Sequence, residues 1–178
     1  MFRTAQGWKG YNTDGPAVID AIENNWSDLD QFKRILILGA GAVAKAVLAC
    51  MIDYQEKILI RNRSEDKARR LAENYGVQWV GWDQELDLSD SLIIQCTSVG
   101  MGEDSNSPIP PNWINSTVSL VESIYYPRQT KLIQLVNDAN GRSLSGLHLF
   151  LHQALLQQQI WCNGSYMDHE QACELLEI

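Results

Sequence analysis

At 178 residues, 45% hydrophobic and 20% charged, the chain has the composition of a folded globular domain, or of one domain plus part of another. A formal charge of −8 excludes the clustered basic surface that nucleic acids require, and no apolar run reaches the length of a membrane-spanning helix. Cys50, Cys96, Cys162 and Cys173 show neither C-x-x-C nor metal-ligand spacing, so reduced thiols in a cytoplasmic protein are expected.

Residues 1–11 are short, polar and Gly-rich. Thr13-Asp14-Gly15-Pro16 then predicts a helix start, with Thr13 or Asp14 as the cap and Pro16 in the first turn. Val18, Ile19, Ile22 and Trp26 give that helix one apolar face. Arg34–Leu38 predicts a strand, and Val43–Tyr54 a helix. Between them lies Gly39-Ala40-Gly41-Ala42-Val43-Ala44. Gly39 suits a tight turn, Gly41 lets backbone N–H groups approach a pyrophosphate, and Ala44 lets helix and strand pack closely. The anion would sit at the helix N-terminus.

A second strand, Lys57–Arg61, ends on Asn62-Arg63-Ser64. An acid at this place would accept hydrogen bonds from the ribose 2′-OH of NAD. No carboxylate precedes Glu65, and a guanidinium here pairs with a 2′-phosphate, so the sequence favours NADP with Arg63 as its ligand. Helix Glu65–Tyr75 follows, stopped by Gly76, and Val77–Val80 predicts a short third strand. Lys67 to Arg70 is balanced by Glu65, Asp66 and Glu73, which by charge alone describes a solvated helix face.

Ser91–Cys96 is nearly continuous apolar sequence, as in a buried parallel strand. A Pro-rich loop at 107–111 separates it from a strand over Ser116–Tyr125. Helix Thr130–Ala139, a short strand near Ser143, and helices Leu147–Trp161 and Asp168–Leu176 complete the chain. The alternation predicts an α/β fold, a Rossmann-like doubly wound, mainly parallel sheet flanked by helices. His148 and His152 are spaced i,i+4, but no third ligand lies near them in sequence, so no metal site is expected. Ligands of such sheets bind beyond the carboxyl ends of the strands. Thr97–Met101, Glu122–Pro127 and Ser145–Leu147 fall there, the last leading into a helix that bears Gln153. Taken singly, Asp14 is also a plausible cap, Tyr125 a core aromatic and Gln153 a solvated helix residue.

Six motifs then occur in one order: Gly10-Tyr-Asn-Thr-Asp-Gly15, Gly39-Ala-Gly-Ala-Val43, Asn62-Arg-Ser-Glu-Asp-Lys-Ala68, Gln95-Cys-Thr-Ser-Val-Gly-Met101, Glu122-Ser-Ile-Tyr-Tyr-Pro127 with Thr130, and Gly146-Leu-His-Leu-Phe-Leu-His-Gln-Ala154. Together they resemble the C-terminal part of the shikimate dehydrogenases. The resemblance implies NADP-linked, reversible reduction of 3-dehydroshikimate to shikimate, a step of aromatic biosynthesis. It implies that Asp14 binds the substrate hydroxyl and pairs with a catalytic lysine, while Tyr125 and Gln153 contact shikimate. Gly39, Ala40, Gly41, Ala42 and Val43 would hold the pyrophosphate, and Asn62, Arg63, Ser64 and Lys67 the adenosine phosphate. Thr97, Ser123 and Gly146 would lie along the nicotinamide.

By the same resemblance, residues 1–11 are the end of a substrate domain and 12–178 the NADP-binding domain. The catalytic lysine belongs to the family's N-terminal domain, and no lysine of this chain takes its place; Lys9 occupies a variable turn position. Gln95, Glu122, His148, Leu149, Phe150 and Ala42 depart from the family pattern, and Glu122 and His148 are expected to alter ligand fit most. Apolar surface on the first and penultimate helices implies a homodimer or docking onto a separate substrate-domain chain. Two functions stay open: a shikimate dehydrogenase completed by such a domain, or a non-catalytic NADP-binding module. Glutamyl-tRNA reductases, a third and weaker reading, share only the Gly-rich turn and the Asn-Arg-Thr strand end.

Overall fold

The structure is a computed structural model that describes residues 1–162 and 167–176. The chain opens with an antiparallel pair, β1 (Phe2–Thr4) and β2 (Gly7–Lys9), which the sequence did not predict. Helix α1 (Asp14–Trp26) follows, then alternating elements: β3 (Arg34–Leu38), α2 (Ala42–Cys50), β4 (Ile58–Arg61), α3 (Glu65–Tyr75), β5 (Gln78–Trp79), β6 (Ser91–Gln95), β7 (Ser119–Glu122), α4 (Lys131–Asp138), β8 (Arg142–Leu144), α5 (Gly146–Cys162) and α6 (His169–Leu176). The six later strands form one parallel sheet in the order β5-β4-β3-β6-β7-β8. This is the doubly wound arrangement the alternation predicted. The chain runs outward from β3 to β5, then returns to β6 on the other side of β3. The crevice at that reversal opens beyond Leu38 and Gln95, which are register partners.

Strand alternation divides the apolar side chains between two cores. Ile35, Ile37, Ile58, Ile60, Leu92, Ile94 and Val121 pack against α1, α2, α3 and α5. Leu36, Leu38, Ile93 and Leu120 face α4 and the loop carrying Ile109 and Trp113. The runs Ile35–Leu38 of β3 and Leu92–Ile94 of β6 are apolar because both faces are covered. A smaller cluster, Leu151, Leu155 and Ala172, seats α6 on α5.

Several boundaries differ from the sequence expectation. Helix α2 stops at Cys50, and Ile52–Lys57 forms a 3₁₀ turn instead. Met51 is fully buried and its N–H turns back to Leu48 O, which tightens the chain before β4. Strand β7 begins later because Asn115 Oδ1 takes the Thr117 N–H in a turn. It ends earlier because the Glu122 carboxylate takes the Ile124 N–H out of the ladder. Thr13 holds the N-cap position of α1 but its side chain makes no cap bond; Asn12 Oδ1 instead accepts the N–H of Asp14 at 2.9 Å and of Gly15 at 3.5 Å. The apolar face of α1 is covered by its neighbours, with Ala17, Val18, Ala21 and Ile22 at 1% exposure or less. Helix α5 does leave Phe150 and Trp161 exposed. Among the described residues no helix is long and apolar enough to cross a membrane.

Candidate functional site

At the crevice, the carboxyl ends of three strands are tied together. The Gly39 N–H donates to Arg61 O and the Cys96 N–H to Leu38 O, each at 2.8 Å. Gly39 has φ +111°, and a Cβ there would lie 2.9 Å from Cys96 O. Only glycine fits that turn. The path of a Cβ from Gly41 meets nothing within 4 Å, so the space in front of the α2 N-terminus is open. Ala44 is fully buried under the turn, as close packing of helix and strand requires.

Beyond β4, the Asn62 side chain donates to Ser64 O at 2.9 Å and folds the loop around Arg63. Arg63, Ser64 and Lys67 are exposed, and neither cation joins an ion pair among the described residues. Arg61 behaves differently. It is buried, stacked between the rings of Trp82 and Trp113, and donates to the carbonyls of Gly81, Trp82 and Gln84. It is a structural cation, and Arg63 alone of the two faces solvent.

Two clefts adjoin along the crevice. The smaller, about 250 Å³, is lined by Asp14, Val43, Ser123, Tyr125, Gly146 and Gln153 together with Ala17, Val18, Leu149 and Phe150. The larger, about 580 Å³, is walled by Val43, Cys96, Thr97, Ser98, Met101, Ser123 and Tyr125 among others. Gln153 donates to the Asp14 carboxylate, and the rings of Tyr125 and Phe150 lie 6.3 Å apart. The start of α5 is pressed onto the exit of β7, where a Cβ on Gly146 would meet the Ile124 carbonyl at 2.3 Å. That contact brings Gln153 and Phe150 up to Tyr125.

The Thr97 loop is held from below. Gln95 Oε1 accepts from both the N–H and the hydroxyl of Thr97 at 3.1 Å, while Gln95 Nε2 donates to Val99 O. Gln95 therefore supplies the loop's anchor despite its departure from the family residue. Glu122 also departs from the family, but its carboxylate faces inward. It accepts the Ile124 N–H at 3.1 Å and the Thr130 hydroxyl at 2.9 Å. Burial pushes its carboxyl up to about 7 against those two bonds. His148 shares a hydrogen bond with Ser145 Oγ at 2.9 Å, and burial lowers its pKa. Burial pushes the Cys96 thiol up to about 12, which leaves it a neutral wall of the cleft. Among the described residues no group of His, Cys, Asp and Glu could hold a metal ion.

The structure thus brings Asp14, Gln153, Tyr125, Ser123, Gly146, Val43 and Thr97 to one continuous crevice. Gly39 to Ala42 and Asn62 to Lys67 stand at the neighbouring strand ends. Met101, in the loop the sequence placed at a ligand-facing strand end, lines the larger cleft, while Leu149 and Phe150 line the smaller one and were missed as wall residues. Periodicity marks the two α5 residues only as apolar. Lys9 lies 4.9 Å from the centre of the Tyr11 ring, and neither cleft lining includes a lysine.

A family model for shikimate / quinate 5-dehydrogenase matches residues 21–98. The NADP(+) shikimate dehydrogenase of Methanococcoides burtonii is 31% identical over 161 residues, which are 87% of this chain and 58% of that protein. Shikimate dehydrogenase from Aquifex aeolicus superposes with a TM-score of 0.86 at 26% identity, covering 98% of this chain and 64% of that one. A 5-ketofructose reductase of Gluconobacter sp. strain CHM43 gives 0.84 at 24% identity, over 98% of this chain and 66% of that one. That likeness shows the fold alone. The chain spans a little under two thirds of the length of these relatives. On its matching motifs, its sequence relatives and its sheet, the chain belongs to the shikimate dehydrogenase family.

Proposed function

We propose that this chain forms the NADP-binding side of a shikimate dehydrogenase active site and presents Asp14, Gln153 and Tyr125 to shikimate or 3-dehydroshikimate. The observation that carries this reading is a shared wall. Val43, Ser123 and Tyr125 line both clefts, so a substrate held by Asp14 and Gln153 lies beside whatever fills the larger one.

The residues fit the cofactor. The space beside Gly41 is open for a pyrophosphate, and Gly39, Ala40, Gly41, Ala42 and Val43 carry the turn around it. Arg63 and Lys67 are uncommitted cations at the place of a 2′-phosphate, with Asn62 and Ser64 shaping their loop. The first carboxylate after β4, Glu65, is engaged by the Trp82 N–H. When bound, the nicotinamide would accept hydride from a carbinol carbon or, reduced, donate it to the corresponding carbonyl carbon. Thr97, Ser123 and Gly146 flank its side of the crevice. Asp14 accepts a hydrogen bond from a substrate hydroxyl, Gln153 orients that carboxylate, and the Tyr125 and Phe150 rings wall the substrate side.

The lysine that would exchange the hydroxyl proton with Asp14 is outside these clefts. Turnover then requires a substrate domain, carried on another chain or in a fuller gene product. The same lining supports a second reading, an NADP-binding module without catalysis. Mixing the chain with NADP and shikimate, and following absorbance of the reduced cofactor, separates them. Tight NADP binding by calorimetry without turnover is expected of the chain alone. Addition of a substrate domain restores turnover under the first reading and not under the second. No NADP binding would overturn both.

A further inference from the structure

Arg61 is only 5% exposed, an expensive place for a cation that hydrogen-bonds to no carboxylate. Its guanidinium carbon lies 4.9 Å from the centre of the Trp82 ring and 4.6 Å from that of Trp113. Nη1 donates to Gly81 O at 3.2 Å and Gln84 O at 2.8 Å, and Nη2 donates to Trp82 O. Three carbonyls of one short loop thus converge on one side chain. With that loop fixed, the Trp82 N–H points at the Glu65 carboxylate, 2.7 Å away. Glu65 is the first residue of α3, two positions after Arg63.

We infer that Arg61 is a positioning residue for cofactor selectivity. By holding loop 81–84 it keeps the Glu65 carboxylate on Trp82 and away from the ribose side of Arg63. The inference rests on the NADP reading given above. A released Glu65 would favour the wrong dinucleotide in two ways. It could accept hydrogen bonds from a free ribose 2′-OH, the role an acid plays in NAD sites. It would also repel a 2′-phosphate and compete with it for Arg63. The neighbouring acid Asp66 is already paired with Arg69 at 2.7 Å, which leaves Glu65 as the carboxylate whose placement matters.

Titration of the full chain with NADP and with NAD gives the ratio of the two affinities. Arg61→Gln is expected to lower the preference for NADP about tenfold, the scale of one new like-charge contact at a protein surface. Glu65→Gln added to that variant is expected to restore the preference, and Glu65→Gln alone to leave it near the parent value. A purely structural Arg61 would lower Tm and weaken both dinucleotides alike; an unchanged ratio overturns the inference, as does a double variant that fails to recover. Should Arg61→Gln not fold, Arg61→Lys keeps a cation but lacks the planar fork that spans the three carbonyls, and a shift in the same direction with the same rescue is expected of it. A parent chain that does not prefer NADP overturns the NADP reading and this inference together. A parent that prefers NADP, with variants that keep its ratio, overturns the inference alone.

Discussion

Gln153 in α5 donates its side-chain amide to the carboxylate of Asp14, the first residue of α1. One helical turn along, Gln157 donates to Thr13 Oγ1 at 3.3 Å. The two rungs fasten the start of α1 to α5 at the wall of the smaller cleft. Because Asn12 caps α1, the Asp14 carboxylate is free for this bond and for a substrate.

Gln153→Leu removes the donor from a half-buried carboxylate and keeps the volume of the side chain. The expected loss is about 1 kcal/mol, or roughly 2–4 °C in Tm for a chain of this size. Stabilisation by added shikimate should vanish in the same variant. Thermal unfolding with and without shikimate checks both. A variant that kept the shikimate-dependent shift would remove Gln153 from the binding site.

Glu122 predicts an unusual dependence on pH. Desolvation raises its carboxyl from 4.5 in the unfolded chain to about 7 in the fold, so the folded chain holds a proton that the unfolded chain has released. The stability it contributes is full below pH 4.5 and is lost as pH rises through about 7. Glu122→Gln keeps an acceptor for the Ile124 N–H and cannot ionise. Its stability should fall less than the parent's across that window, with a divergence of up to about 3 kcal/mol. Urea unfolding at a series of pH values measures this, and parallel profiles would refute it.

The same residue illustrates what the chain's letters disclose and what they conceal. The β3 and β6 runs, the Gly39 turn and the exposed Arg63 follow from local sequence because their physics is local. Asp14, Tyr125 and Gln153 meet only in the fold, and motif resemblance rather than periodicity brought them together. The inward direction of Glu122 depends on Thr130, which the sequence ties to the helix start and not to a buried acid. Arg61 was hidden for a similar reason: an arginine at a strand end is ordinarily solvated, and the two tryptophans enclosing it come from loops 21 and 52 residues later. The β1–β2 pair escaped because strands of three residues carry too short a pattern to recognise.

Gly146→Ala tests the joint between α5 and β7. The added methyl would lie 2.3 Å from the Ile124 carbonyl and 2.6 Å from the Tyr125 N. Backbone atoms cannot yield as a flexible side chain does, so the helix start must shift. The expected cost is about 1–3 kcal/mol, with Gln153 and Phe150 drawn away from Tyr125. Denaturant unfolding should show the loss. Shikimate binding should weaken more than NADP binding, since Gln153 and Phe150 move with the helix start while Gly39, Gly41 and Arg63 stand on other elements. Equal weakening of both ligands would contradict a local effect.

Arg63→Ala tests the phosphate assignment most directly. The side chain is exposed and joins no ion pair, so its removal breaks nothing in the fold and Tm should stay near the parent value. A charge-assisted bond to a phosphate is worth about 1.5–3 kcal/mol, which predicts a loss of NADP affinity of roughly ten- to a hundredfold. NAD, which lacks the 2′-phosphate, should bind as before. Arg63→Lys should recover part of the loss, since an ammonium supplies the charge without the bidentate fork. The contribution of an exposed pair is also screened by salt, so parent and alanine variant should converge as ionic strength rises. Titrations with both dinucleotides at low and high salt provide the check. A full NADP preference retained by Arg63→Ala would move the phosphate site elsewhere, with Lys67 as the remaining exposed cation of this loop and helix start that the cofactor could reach.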